Sequence, residues 1–496
     1  MTNYVGIDLG TTFSAVAYID DTGRPRIVNN DRDENITPSI VGKRGSNLVV
    51  GESARRAWGA DERMGAARFK RSMGTSTMHQ IDGNDYTPTE LSAAVLKQLK
   101  SQTESRIGPI VESVITIPAN FAHEARDATM AAAKMAGLNV KYIINEPTAA
   151  ALYYAYQSDA DLTGTYVVFD LGGGTFDVSI IKVLGQDVEV LASNGLHKLG
   201  GSDFDQALWN LVAEKYKAES GEDLTLEDFD MNEVEKAKKT LSDRKKVSLE
   251  IEREFIDLSR SEFEENISTL LAQIEMMCES TLDEADISPA DVTSVFLAGG
   301  STRMPSVRKI AETVFKQEPI STVNVDEVVA LGAALYAAHK SDGSNLSAIQ
   351  KKSIDKLKVA ERTSCFFGTI SVGYSESKGE VLMNSILIKK GETLPCSVTK
   401  SFVTAHEGQT AINCRITESK APETDPRFVR IIHEENMELP PGRPAGQEIQ
   451  VTYSYDDNQI MNAVFKDMSS GKETVISLTM SGNEDKSSDI DKFLVN

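Results

Sequence analysis

The eight residues Ile7-Asp8-Leu9-Gly10-Thr11-Thr12-Phe13-Ser14 recur in outline as Phe169-Asp170-Leu171-Gly172-Gly173-Gly174-Thr175-Phe176. Each stretch follows apolar residues and leads into a second β-like run, so each reads as strand, tight turn, strand. Two such units, 162 positions apart, predict two similar lobes. The chemistry of the unit is specific. Small residues let main-chain N–H groups close on phosphate oxygens, and an Asp at the strand end can hold a hydrated cation. Two units facing each other would clamp a polyphosphate. A third element, Leu297-Ala298-Gly299-Gly300-Ser301-Thr302-Arg303, puts a glycine pair after a strand and before a helix, where N–H groups can meet a nucleotide. Any one of these stretches alone is compatible with an ordinary hairpin or turn; their order and spacing together point to the clamp. Neither G-x-x-x-x-G-K-[ST] nor a clean G-x-G-x-x-G is present, which disfavours a P-loop or dinucleotide fold.

The rest of the chain fits such a protein. With 496 residues there is room for roughly three domains of ~150 residues. Hydrophobic residues at 40% and charged residues at 25% are the balance of a globular chain. The formal charge of −22 repels both nucleic acid and anionic membrane surfaces, so neither is an expected partner. No apolar run approaches a bilayer span, and Met1 to Leu9 lacks the pattern of a secretory leader, so a cytoplasmic location is expected. Cys278, Cys365, Cys396 and Cys414 form no C-x-x-C pair and read as small apolar residues. The six histidines include no H-E-x-x-H, so any metal should be a hard one arriving with a ligand.

Residues 1–340 alternate β-rich runs with helical patterns, for example Val114 to Ile117 closed by Pro118, and Leu91, Val95 and Leu99 at helical spacing. A turn-rich break at residues 341–345 and a polar, Lys-rich, helix-compatible stretch predict a linker over 341–362. Over 363–480 the pattern becomes period-2 alternation, with turn signals near Gly379, Gly408, Asp456-Asp457-Asn458 and Gly471 and a longer loop at Pro440-Pro441-Gly442, and predicts an all-β domain. A polar tail is expected over 481–496.

Further motifs make a resemblance definite: Ile144-Asn145-Glu146-Pro147-Thr148-Ala149-Ala150-Ala151, Gly200-Gly201-Ser202-Asp203-Phe204-Asp205, and Glu235-Lys236-Ala237-Lys238-Lys239-Thr240-Leu241-Ser242. Over nearly its whole length the sequence resembles the DnaK-type 70-kDa heat-shock chaperones of the actin-like ATPase superfamily. The resemblance implies a two-lobed α/β actin-like ATPase domain followed by an all-β sandwich, with ATP/ADP and Mg²⁺ as ligands. It implies Asp8, Asp170 and Asp177 around the Mg²⁺ and its waters, and Gly10, Thr11, Thr12, Phe13, Gly172, Gly173, Gly174 and Thr175 around the phosphates. Lys70 matches the lysine placed against the γ-phosphate and attacking water, although by itself it reads as a solvated member of a basic trio with Arg68 and Arg71. Glu146 matches the carboxylate that orients water, with Asp170 and Thr175 beside it. Gly200, Gly201, Ser202, Glu235, Lys238, Lys239, Ser242, Gly299, Gly300, Ser301, Arg303 and Asp326 match the remainder of the nucleotide pocket. In the β domain, Phe402, Ala405, Ile412 and Cys414 align with a peptide groove, where residue pattern alone reads them as sandwich core. Client polypeptides, a J-domain co-chaperone and a nucleotide exchange factor are the implied partners.

The sequence departs from the family pattern at several places. The sequence ends after the β domain, so, unless it is truncated, the family's helical lid is expected to be missing and peptide exchange is expected to be fast. The apolar linker is replaced by the charged Ser353-Ile354-Asp355-Lys356-Leu357-Lys358-Val359-Ala360-Glu361. Tyr142 stands where the family has an arginine, Asn120-Phe121-Ala122-His123 replaces a surface run after Pro118, and Lys239 replaces an adenine-stacking arginine without offering its planar face. Two expectations follow: an ATP-hydrolysing, lidless chaperone, and alternatively a nucleotide-gated adaptor docking on a dedicated partner. A small-molecule kinase of the same superfamily has no separate substrate-base motif to support it.

Overall fold

A computed structural model describes residues 3–477, apart from 46, 120, 158–162, 185–186, 197, 322–323, 342, 344–345, 355–362, 364, 376–378 and 457–460. The described residues fall into two compact units, one up to Ile354 and one from Thr363 onward.

The first unit is built around two sheets of the same plan. Strand β1 (Asn3–Asp8) pairs antiparallel with β2 (Phe13–Ile19), and helices α1 (Glu52–Ala60) and α2 (Pro88–Ile107) follow. The α2 start carries the capping box Thr87/Glu90, which satisfies open backbone N–H groups, and Pro88 in the first turn has no N–H to leave open; at its end the Gly108 N–H donates to Glu104 O. Strand β3 (Ile110–Ile117) then lies parallel to β1, and β4 (Val140–Asn145) parallel to β3, leading straight into helix α3 (Glu146–Gln157). The second sheet repeats this. Strands β5 (Thr163–Leu171) and β6 (Phe176–Leu184) form the antiparallel hairpin, β7 (Asp187–Leu196) extends it, helices α4 (Gly201–Ser220) and α5 (Met231–Asp243) follow, and β8 (Val292–Ala298) runs parallel to β5. The two repeated sequence stretches are therefore the turns of two equivalent hairpins. Asp8 faces Ala15 across the first, and Asp170 faces Asp177 across the second.

After β8 comes a 3-10 turn, Gly300–Arg303, then helix α6 (Pro305–Phe315) and helix α7 (Val328–Lys340). Helices α3 and α7 pack together in a shared core that draws Tyr4, Ala15 and Val114 from the first sheet and Tyr166, Val168 and Phe296 from the second. Small residues make this contact possible. A Cβ added at Gly332 would sit 1.7 Å from the Ala149 carbonyl oxygen, and one at Gly6 would sit 2.1 Å from the Ala334 nitrogen.

Of the expected linker, helix α8 (Ala348–Ile354) is described and the charged run after it lies outside the described residues, as does the 481–496 tail. Gln350 donates to the carbonyls of Ile19 (2.9 Å) and Asp20 (3.2 Å), and Ile354 is buried, so α8 belongs to the first unit.

The second unit consists of two four-stranded antiparallel sheets. One has the order β10-β9-β12-β13 and the other β11-β14-β15-β16, for β9 (Phe366–Ser375), β10 (Gly379–Ile388), β11 (Cys396–Val403), β12 (Ala411–Ser419), β13 (Arg430–Glu438), β14 (Glu448–Tyr455), β15 (Met461–Asp467) and β16 (Glu473–Ser477). The alternation read from the sequence is literal in β14, where Ile449, Val451, Tyr453 and Tyr455 point into the core. Turns fall at Gly408 and Gly471, both at φ 72°, a conformation that glycine adopts without strain. The β9–β10 pairing is long, running from Phe367–Ile388 to Ser375–Gly379. All four cysteines are free. The Asp467 carboxylate, fully enclosed, is held by Arg443 and Ser470 and also accepts from the Ser469 N–H.

Two outcomes are expected. Gly332→Ala should lower the denaturant midpoint. A free helix would gain about 1 kcal/mol from alanine, but a methyl group forced onto a backbone oxygen costs ~1–3 kcal/mol or more; a midpoint at or above wild type would contradict the packing. The Arg443 bond holds the Asp467 carboxyl well below its ordinary 3.8, so its stabilisation is present above about pH 4 and disappears as pH falls through the folded-state value. Asp467→Asn should lower the melting temperature at pH 7 and flatten the acid limb of the melting profile; an unchanged profile would show that the pair does not stabilise the sandwich.

Candidate functional site

The ends of the two hairpins open on a cleft of about 520 Å³ in the first unit. Asp8 terminates β1 and Asp170 lies near the end of β5, so the strands deliver two carboxylates to its floor. Glu146 joins them as the first residue of α3. Lys70 enters from the 3-10 turn Phe69–Ser72, which follows Arg68 at φ 60°. Its Nζ donates to Glu146 Oε1 at 2.7 Å, and only 5% of its side chain is exposed, so it is no solvated lysine.

The electrostatics are those of one cation among surplus carboxylates. Burial, then Glu146, push the Asp8 carboxyl up to about 7 against the pull of Lys70, while the Thr116 hydroxyl donates to it at 2.9 Å. Burial raises Asp170 well above its ordinary value, and Glu146, Asp177 and Asp8 add to the effect. For Lys70 burial works against the charge, but Glu146, Asp8 and Asp177 outweigh it and hold its pKa above the usual lysine value. A site that strains two carboxylates toward protonation favours an added cation. Among the described residues no three His, Cys, Asp or Glu side chains are grouped to hold a metal ion directly.

The turns around these carboxylates are packed to backbone contact. A Cβ at Gly10 would lie 1.9 Å from the Phe13 oxygen, and one at Gly173 would lie 2.5 Å from Thr12 Oγ1, so the two turns touch. Gly172 N donates to Thr175 O at 3.0 Å, closing the second turn. Its carbonyls are held from behind: Gly172 O accepts from Gly201 N (3.0 Å) and Ser301 Oγ (2.9 Å), Gly173 O from Ser202 N (2.7 Å), and Gly174 O from Arg71. Thr12 Oγ1 is buried and makes no hydrogen bond within the protein, as expected of a group aimed at a ligand.

The far end of the cleft lies along α5 and the Gly299–Arg303 turn. Lys239 pairs with Glu235 (2.9 Å), Lys238 reaches Gly201 O (2.9 Å) and Asp205 (2.8 Å), and Arg303 reaches Asp326 (3.2 Å). Asp8, Gly10 to Phe13, Lys70, Glu146, Asp170, Gly172, Gly173, Thr175, Gly201, Ser202, Glu235, Lys238, Lys239, Ser242, Gly299 to Ser301, Arg303 and Asp326 all line the cleft. Gly174, Gly200 and Asp177 stand behind its wall: a Cβ at Gly200 would meet Gly174 N at 2.5 Å, and Asp177 faces Asp170 across the hairpin.

Sequence reasoning left five contributors unassigned. Thr116 orients Asp8, Arg71 bridges to Gly174 O and Asp203, Asp205 pairs with Lys238, Arg55 pairs with Glu235, and Trp58 lines the cleft. Asp205 could have been found as a charge inside the Gly200–Asp205 motif; Arg55 has no local signal, because its partner is 180 positions away.

In the second unit, Phe402 and Ile412 are half-buried against the sandwich core, Ala405 is exposed, and Cys414 is fully enclosed in that core. The four therefore do not share one degree of access to solvent. Tyr142 lies edge-on to Tyr336 with Lys340 5.4 Å from its ring.

Compared with known proteins, residues 4–496 match the family model described as Hsp70 protein. The chain is 33% identical over 534 residues to the Chaperone protein DnaK of Deinococcus proteolyticus, covering 100% of this chain and 81% of that one.

Proposed function

The chain belongs to the Hsp70 family, whose members are chaperones with ATPase activity, and from that premise we propose that it hydrolyses ATP in residues 1–340 and holds extended apolar segments of unfolded or specific client polypeptides on the sandwich of residues 363–480. The observation that carries the ATPase reading is the buried Lys70–Glu146 pair at the mouth of two glycine turns, each hairpin supplying an aspartate.

In the mechanism this implies, the turns at Gly10–Phe13 and Gly172–Thr175 cradle the phosphates with backbone N–H groups. Asp8, Asp170 and Asp177 would hold Mg²⁺ largely through water, and the ion would supply charge neutralisation at the phosphates. Lys70 places a fixed positive charge where negative charge develops on the transferred phosphoryl group. Glu146, held by Lys70, orients the attacking water, with Thr175 and Asp170 beside it. The purine end takes Glu235, Lys238, Lys239, Ser242, Gly300, Arg303 and Asp326. On the sandwich, main-chain hydrogen bonds and a pocket near Phe402 and Ile412 would bind peptide. A J-domain co-chaperone, an exchange factor and a cytoplasmic setting belong to the same proposal. A second reading, a nucleotide-gated adaptor, is favoured by one observation: α8, in the segment expected to link the units, is tied to the first unit through Gln350 and Ile354.

Lys70→Ala should cut steady-state ATP turnover by about 10²- to 10³-fold, the usual effect of removing one transition-state charge contact, while ADP affinity measured by calorimetry stays within a few-fold. Unchanged turnover would remove Lys70 from this role. Turnover of the wild type should rise with a panel of extended apolar peptides; a rate indifferent to every peptide would favour the adaptor.

A further inference from the structure

We propose that Trp58 is a ligand-contacting residue that covers the nucleoside from the α1 side of the cleft and contributes to selectivity for a purine nucleotide over bare polyphosphate. The inference rests on the nucleotide reading of the cleft and adds to it a residue that the sequence motifs did not mark.

Three observations place Trp58. It lines the cleft, and among the described lining residues the only other aromatic is Phe13, in the first phosphate turn. Helix α1 meets α5 on both sides of Trp58: Arg55, one turn earlier, pairs with Glu235, and a Cβ at Gly59 would come 3.5 Å from Asn232 Nδ2. Residues three apart share a helix face, so Arg55 and Trp58 present together toward the wall that carries Glu235, Lys238, Lys239 and Ser242. Finally, one edge of the Trp58 side chain is seated. A Cβ at Gly65 would lie 2.8 Å from Trp58 Cβ and 3.3 Å from Cγ and Cδ1, so only glycine leaves room for the root of the indole, which still borders the cleft.

The chemistry of the far wall makes the same demand. A purine has polar edges and apolar faces, and its faces need a flat partner. Lys239 has none, and its ammonium is drawn to Glu235 with 67% of its side chain exposed. Of the other α5 residues that line the cleft, Asn232, Glu235, Lys238, Ser242 and Asp243 are polar and Met231 is apolar but not aromatic. Trp58 supplies an aromatic plane that no lining residue of α5 offers, with the best quadrupole and the largest area of the aromatic residues.

The test is calorimetric binding of ADP and of inorganic tripolyphosphate to the full chain as wild type, Trp58→Leu and Trp58→Phe. Leucine keeps bulk against Gly65 without a π face. The expected result is ADP binding weakened about 5- to 100-fold in Trp58→Leu, the range that aromatic–base stacking covers, with most of it recovered in Trp58→Phe and tripolyphosphate affinity within about two-fold throughout. ADP should also perturb tryptophan emission in the wild type but not in Trp58→Leu, whose one remaining tryptophan is Trp209. Equal ADP affinity in wild type and Trp58→Leu overturns the proposal, as does an equal loss for ADP and tripolyphosphate, which would mark a purely structural role. Absence of ADP binding to the wild type would overturn the nucleotide reading itself, so the two failures are distinguishable.

Discussion

The cleft is organised by a charge imbalance: one buried ammonium, Lys70, faces Glu146, Asp8, Asp170 and Asp177. Taking charges out of water is costly, and replacing buried ion pairs by apolar residues is often neutral or stabilising. An arrangement with more buried carboxylates than cations is thus no stability device. It is tolerable because several groups share it, because Thr116 adds a hydrogen bond to Asp8, and because a ligand with a divalent cation would relieve the repulsion. Burial and like charge raise the carboxyls of Asp8 and Asp170 together, which is the electrostatic pattern that functional clefts share.

That imbalance can exist only because two sheets are brought close. Helices α3 and α7 approach so nearly that a methyl group at Gly332 would collide with a backbone oxygen, and the alanines from Ala149 to Ala151 leave room on the other side. Small residues here have little hydrophobic area to bury individually. Their value is the short distance they permit, which lets the hairpin turns meet at Thr12 and Gly173. The same helices that pack together also reach the site: α3 begins at Glu146 in the cleft, and α7 begins two residues after Asp326.

The sandwich follows a different logic. Its strands bury alternate residues around Tyr453, whose hydroxyl finds the carbonyls of Gly368 and Arg415. Asn384 and Thr417 are buried as well, but the Asn384 amide ties the strand to Glu423, and Thr417 donates to Asn384 at 2.6 Å. Polar groups inside a core are retained where every one has a partner.

Much of this was written in local chemistry. The two Asp-Leu-Gly turns, the third glycine pair and the alternation of β14 and β15 follow from backbone freedom at glycine and from the two-residue period of a strand, properties a short window contains. The α2 boundaries follow likewise from Thr87, Pro88 and Gly108. The departures noted at Lys239 and Tyr142 were also legible as residue types. Tertiary structure decided what those types do. Lys70 is buried because Glu146, 76 positions on, is brought against it; Arg71 reaches Gly174 O and Asp203; Arg55 finds Glu235; Trp58 comes to border the cleft; and Cys414 sinks into the core while Ala405 stays exposed. Burial and charge pairing depend on what arrives from elsewhere in the chain, and no local pattern records the arrival.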